Sequence, residues 1–257
     1  MLNLLFPSLP YSRTLDPMWQ PEADEARRRG YSIGLYDAEQ PKLYQQPVAG
    51  RPTLYRGWML TAAEYQQLHQ LTPLLVSPAL YQASHRADGW YAALAPFTPA
   101  SVLVPAAQAL PVVENFLRQN GRCFVKSLSK SFGAASVVTS AAEFLALLQA
   151  QAIAPAEVLF VREFVALSAH PEERFFAVRG VAYGAAGRPF PSALLPALPH
   201  LQNRWLCTID VAYSAVGEPL IIEVGDGQVS DIKEWEVADL YQAVLPVLAG
   251  RASSAQL

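Results

Sequence analysis

Residues 206–231, LCTIDVAYSAVGEPLIIEVGDGQVSD, read as a β-hairpin that runs into a glycine-punctuated loop. The first arm, 207–213, is apolar and β-branched, and the second is 220–224. Val216 and Gly217 sit between them among turn-forming residues. A two-residue loop there sets Ala215 against Glu218, Tyr213 against Leu220 and Asp210 directly against Glu223. Cross-strand partners share a face, with Cβ atoms about 5 Å apart, so two carboxylates in that position repel each other. Two readings follow. Either an oxygen-preferring cation such as Mg²⁺ lies between them, or the loop is longer and both carboxylates point to solvent.

The chain around this hairpin has 257 residues, of which 52% are apolar and only 16% charged. That length supports one large domain or two to three lobes with a real core, and the composition argues against disorder. A net charge of −3 gives no electrostatic case for a nucleic-acid or membrane-surface partner. The run Arg27-Arg28-Arg29 precedes Gly30, the pattern of cations in a last helical turn closed by glycine. The start, MLNLLFPSLP, lacks the basic residues of a signal peptide and is broken by prolines. No apolar run approaches the roughly 18 residues of a membrane span. A cytoplasmic location is expected. Cys123 and Cys207 fall in apolar strands and read as buried thiols. The absence of HExxH, GxSxG and Walker-type loops weighs against zinc hydrolases, serine hydrolases and P-loop enzymes.

In the N-terminal part, strand 2–6, helix 21–29 and strand 31–36 form a β–α–β order, which implies a parallel, doubly wound α/β unit. Strand 53–55 carries Arg56-Gly57-Trp58 at its end, and Thr61 caps a helix over 62–71 with Glu64 in the capping-box position. Ligands bind at strand ends in such sheets. Arg56 is therefore a candidate substrate contact, the alternative being a surface arginine packed on Trp58. The first strand has no glycine fingerprint behind it, so dinucleotide binding is disfavoured. Residues 73–100 are rich in proline and aromatics, and 96–105 reads as a boundary. This gives a domain over 1–100 and a second over 101–257, with lobes at about 105–165 and 166–257.

The second domain opens with helix 111–119 and strand 122–126, in which Cys123 and Val125 face one way and Phe124 and Lys126 the other. SLSKSFGAAS follows as a flexible small-residue loop with Lys130 and Gly133, then a short strand at 137–138 and a helix over 141–151 capped by Ser140. VLFVREFV, 158–165, is an apolar strand interrupted by Arg162-Glu163. Strands 172–178 and 181–183, a proline-interrupted helical segment at 192–202, the hairpin and a helix from 235 to about 248 complete it. The terminal ASSAQL reads as a frayed tail. Charges at Lys126, Arg162-Glu163, Glu172/Arg174 and Asp210/Glu223 interrupt otherwise apolar strands. Charges are seldom buried without partners, and lysine, arginine and paired acids together suit a polyanion with its cation. A loop such as 127–136 can wrap phosphates with backbone N–H groups. These residues point to a nucleoside-triphosphate site with Mg²⁺.

Three features, FVKSLSKSFG, VLFVREFV and the pair TIDVA with IIEVGDG, resemble the ATP-grasp superfamily. With RGW, VREF and the ExR of Glu172 and Arg174, the chain is similar to the ATP-grasp clade named for two arginines and a lysine. The resemblance implies an ATP-grasp fold of α/β class (α+β lobes) with a preceding doubly wound α/β domain. It further implies that Lys126 contacts the ATP phosphates and adenine edge, while Lys130 and the loop to Gly133 cover the phosphates. Val161 to Phe164 would meet adenine by backbone, with Glu163 near the ribose. Arg174 would stabilise the transferring phosphoryl group, Arg162 would reach acceptor or phosphate, and Asp210 and Glu223 would bind Mg²⁺. Gly225 stands where the superfamily usually has Asn, and Asp226 is the candidate to replace it. The implied activity is an ATP- and Mg²⁺-dependent ligase joining a small-molecule or peptide carboxylate to an amine or thiol through an acyl phosphate. Phosphoryl transfer without ligation and non-catalytic nucleotide binding are the alternatives.

Overall fold

In a computed structural model, which describes residues 1–254, the chain forms two compact units. One holds Met1–Ser84, Glu173–Ile209 and the chain from Gly225 onward; the other holds His85–Glu172 and Asp210–Val224.

The first unit begins as β1 (Asn3–Pro7), β2 (Ser32–Asp37), β3 (Lys42–Gln45) and β4 (Thr53–Tyr55), in sheet order β3-β2-β1-β4. β1 pairs in parallel with β2 and β4, as the β–α–β pattern requires, and β3 adds an antiparallel edge. That edge is illegible in sequence because KLYQ has a single buried residue, Leu43. The helix Gln20–Arg28 follows β1. Its basic last turn pairs Arg27 with Asp24 and Arg28 with Glu25, and Gly30 leaves it at φ 79°. The helix Ala62–Leu71 carries the complete Thr61/Glu64 capping box. Leu4, Phe6, Tyr36 and Leu54 make one core with Trp235, Leu240 and Leu248 from the chain's end. The expected single helix over 235–248 is two, Val237–Ala243 and Leu245–Ser254. Pro246 has no N–H to continue the first into the second. The expected frayed tail is helical through Ser254, and 255–257 lie outside the described residues.

The second unit is built on β5 (Ser101–Pro105), β6 (Cys123–Ser127), β7 (Val137–Val138) and β8 (Val158–Glu163), an antiparallel sheet in the order β5-β8-β6-β7. β5 lies where the sequence reads as a boundary, because it is short and ends in proline. The helices Leu110–Asn120 and Ala141–Ala150 cover one face. Val113, Phe116, Phe144 and Leu147 pack there on Cys123, Val125, Leu159 and Val161. Period-two alternation puts Phe124, Lys126, Phe160, Arg162 and Ser101 on the opposite face.

A third sheet orders β9 (Glu173–Val178), β10 (Val181–Gly184), β11 (Cys207–Tyr213) and β12 (Pro219–Asp226) as β10-β9-β11-β12. The β11–β12 loop is three residues, not two. Ser214 N–H donates to Glu218 O at 2.8 Å and Gly217 N–H to Ser214 O at 2.8 Å, with Gly217 at φ 86°. Ser214, rather than Ala215, therefore stands against Glu218, so the two-residue turn that set Asp210 directly against Glu223 does not form. On β12 the buried positions Ile221 and Val224 are three apart, so the simple alternation is broken within the strand.

Candidate functional site

Lys126 is the centre of the charged face in the second unit. Its side chain is 5% exposed and its Nζ donates to Glu223 Oε1 at 2.9 Å. An ammonium this deep needs an anion beside it, and a carboxylate that is 37% exposed supplies one. Glu223 on β12 and Asp210 on the adjacent β11 are the expected metal pair. Asp210 is buried, at 4% exposure. Among the described residues no group of three His, Cys, Asp or Glu side chains is placed to hold a metal alone. Two carboxylate-bearing strands completed by phosphate oxygens and water are nonetheless what Mg²⁺ commonly uses. The donor set is all hard oxygen and fits that ion.

Arg162, on the same face as Lys126, is a buried cation whose hydrogen bonds go to neutral groups. Nε donates to Ser101 Oγ at 3.2 Å, Nη1 to Ile222 O at 2.8 Å and Nη2 to Thr98 Oγ1 at 3.1 Å. Its guanidinium also lies over the Phe160 ring at 4.9 Å. Burial pulls its pKa down to about 10, and the charges of Glu223, Tyr91 and Glu163 act against that shift. Tyr91, Thr98 and Ser101, which build this seat, come from the proline-aromatic stretch and from β5, where the sequence has no periodicity to read.

β8 ends at Glu163, whose N–H donates to Ala100 O and whose Oε1 accepts from Ala100 N–H. Val161 lies mid-strand between Val102 and Val125 with its side chain in the helix-covered core. Backbone beyond the ladder starts at Phe164, whose ring carries the Arg122 guanidinium at 3.9 Å. The loop after β6, expected to be flexible, is tied by its own serines. Ser127 Oγ accepts from Lys130 N–H at 3.0 Å and Ser136 Oγ from Phe132 N–H at 2.7 Å. Lys130 is exposed, and Gly133, at φ 61°, has open space where a Cβ would be.

The remaining candidates lie in the first unit. Arg174 on β9 bonds Asp231 through its guanidinium, its backbone N–H donates to Glu234 Oε1, and its carbonyl accepts from Trp235 Nε1. Gly225 has no room for a side chain. A Cβ there would lie 2.6 Å from Thr208 Oγ1 and 3.0 Å from Ser230 Oγ, two hydroxyls bonded to each other. Asp226, the expected substitute ligand, is 1% exposed, and its Oδ1 accepts from Gln228 N–H and Nε2. Arg56, the expected substrate contact, is 3% exposed and salt-bridged to Glu22.

Burial raises the Asp226 pKa from 3.8 to about 6, against the hydrogen bonds of Gln228 and Ser84 and the charge of Arg204. The folded value lies above the unfolded one. The stabilising contribution is therefore complete below about pH 4 and lost as pH rises through about 6. Asp226→Asn keeps the acceptor for Gln228 and removes the charge. It should stabilise the protein at about pH 7.5 by up to roughly 3 kcal/mol and by less at about pH 5. A melting temperature unchanged or lowered at the higher pH would contradict this, and a lost Mg²⁺ requirement would mark Asp226 as a ligand.

These features fit one class: the chain belongs to the ATP-grasp superfamily. Residues 63–244 match a family described as an ATP-grasp domain, family 3 of its clade, and the chain belongs to it. Among solved structures, D-cycloserine synthetase DcsG is similar over 99% of both chains, at 15% identity and a TM-score of 0.66. The D-alanine-D-alanine ligase from Coxiella burnetii is similar over 100% of this chain and 97% of that one, at 11% identity and a TM-score of 0.65. The ATP-grasp ligase PsnB, solved with minimal precursor, Mg and ADP, is similar over 96% and 98%, at 12% identity and a TM-score of 0.59. At such identities the likeness is one of fold. No curated protein matches the chain in sequence.

Proposed function

We propose that this chain is a Mg²⁺-dependent carboxylate–amine or carboxylate–thiol ligase of the clade named for two arginines and a lysine. The observation that carries the proposal is the buried Lys126 ammonium held by Glu223 on the polar face of the β6–β8 sheet. A carboxylate oxygen of the acid substrate attacks the γ-phosphorus of ATP, the bond to ADP breaks, and an acyl phosphate forms. The amine or thiol then attacks the acyl carbon, phosphate leaves, and the nucleophile's proton is lost. Lys126 binds the phosphates as a point charge, Lys130 and the loop to Gly133 close over them, and Phe164, the first residue beyond the β8 ladder, receives the nucleoside beside Glu163, with Val161 shut in the core beneath. Arg174 and Arg162 neutralise charge that develops as the phosphoryl group moves. Asp210 and Glu223 hold Mg²⁺, which supplies positive charge at the phosphoryl oxygens.

The names of D-cycloserine synthetase DcsG and D-alanine-D-alanine ligase support a small molecule as the acid, and PsnB, also solved with a precursor peptide, supports a peptide. Hydroxylamine, as a surrogate amine, tests the reaction without knowledge of the natural nucleophile. With ATP, Mg²⁺ and a panel of acids and peptides, the correct acid should give a hydroxamate together with ADP and phosphate. A stable phosphorylated product with no hydroxamate would assign a phosphotransferase instead. Saturable nucleotide binding with no turnover on any acid would favour a non-catalytic binder, a reading to which the closed space at Gly225 lends support.

A further inference from the structure

Arg56 is engaged on every side within the first unit. Its Nε and Nη2 donate to the two carboxylate oxygens of Glu22, each at 2.8 Å, and Tyr241 Oη donates to Glu22 Oε2 at 3.1 Å. Its Nη1 donates to the carbonyls of Ser230 at 2.5 Å, Gly227 at 3.2 Å and Gln228 at 3.3 Å. The next residue, Gly57, donates its N–H to Gln228 O at 3.0 Å. The same loop is gripped from its other side: Gln228 Nε2 donates to Asp226 Oδ1 and Gln228 Oε1 accepts from Tyr65 Oη, each at 3.0 Å. Gly227 is pressed against its surroundings, since a Cβ there would lie 2.5 Å from Leu206 Cγ.

One guanidinium thus gathers three carbonyls of a four-residue segment, and a carboxylate fixes its orientation. A buried ion pair is a poor source of net stability, because well-packed apolar residues serve as well or better. A planar donor fork clamped at one end is a good device for holding backbone in one geometry. The segment it holds continues the strand that carries Glu223. We infer that Arg56, oriented by Glu22, is a positioning residue that fixes the 226–230 loop and thereby sets the Mg²⁺ requirement for nucleotide binding, without touching substrate. This rests on the reading of Glu223 as a metal ligand.

The test uses the full chain and its variants Arg56→Lys, Glu22→Gln and Tyr241→Phe. Calorimetry gives the Mg²⁺ concentration for half-maximal binding of a non-hydrolysable ATP analogue, and hydrogen exchange gives the protection of the Gln228, Val229 and Ser230 amides. Arg56→Lys and Glu22→Gln should raise the Mg²⁺ requirement about tenfold or more and speed exchange at those amides. Affinity at saturating Mg²⁺ should stay near the parent value, and Tyr241→Phe should shift both readouts the same way by less. A lowered melting temperature with an unchanged Mg²⁺ requirement overturns the inference and leaves Arg56 as a purely structural residue. If the two charge variants fail to fold, Tyr241→Phe decides, and no change in either of its readouts overturns the inference. If the parent protein itself binds no Mg²⁺–nucleotide, the reading of Glu223 falls and this inference falls with it.

Discussion

Glu223→Gln is expected to lower turnover by about a hundredfold or more while strengthening the binding of metal-free nucleotide. The two effects have one cause. Glu223 is the carboxylate that faces Lys126 Nζ at 2.9 Å, so the phosphates of an incoming nucleotide compete with it for the ammonium. In the proposed function, Glu223 would hold Mg²⁺ instead, which would leave Lys126 to the phosphates. Glutamine keeps the shape but carries no charge. It therefore removes the competitor along with the metal ligand. Binding of a non-hydrolysable ATP analogue in the presence of a chelator should tighten, while the gain from added Mg²⁺ should shrink. Turnover retained by the variant, or metal-free binding weakened by it, would remove Glu223 from the site.

Lys126→Met is expected to weaken Mg²⁺–nucleotide binding by about 2–5 kcal/mol, the loss on truncating one partner of a close, desolvated charge pair. Lys126 is the cross-strand partner of Phe160 on the same face of the sheet, so methionine keeps an unbranched apolar stem beside that residue. The double variant Lys126→Met/Glu223→Gln should lose less than the two single losses combined, because each single change already breaks the same pair. Strictly additive losses in binding would show that the two side chains act separately.

The two-sided sheet of the second unit is legible because its strands alternate: CFVKS and VLFVRE put Lys126 and Arg162 on one face and Cys123, Val125, Leu159 and Val161 on the other. The β–α–β start and the Thr61/Glu64 cap are legible for the same local reason. The hairpin loop misleads. Val216-Gly217 looks like a two-residue turn, whereas Ser214 Oγ accepts from Glu218 N–H and the backbone closes around three residues. The partners of Arg162 and Arg56 are illegible for a physical reason. Arg162 is satisfied by carbonyls and hydroxyls 60 or more positions away, such as Ile222 and Thr98, and Arg56 reaches the Ser230 carbonyl, 174 positions away, besides the Glu22 carboxylate. Backbone carbonyls carry no signature in sequence. Arg56 reads as a strand-end ligand contact until Glu22, on the helix that follows β1, is seen to hold it.

In the proposed function the Lys126–Glu223 face binds nucleotide and Mg²⁺ together. Calorimetric titration of a non-hydrolysable ATP analogue into the parent protein and into Lys126→Met, with Mg²⁺ and with chelator, tests it most directly. The parent should show one saturable site that tightens markedly with Mg²⁺ and is lost or severely weakened in the variant. Nucleotide binding that ignores both Mg²⁺ and the loss of Lys126 would contradict it.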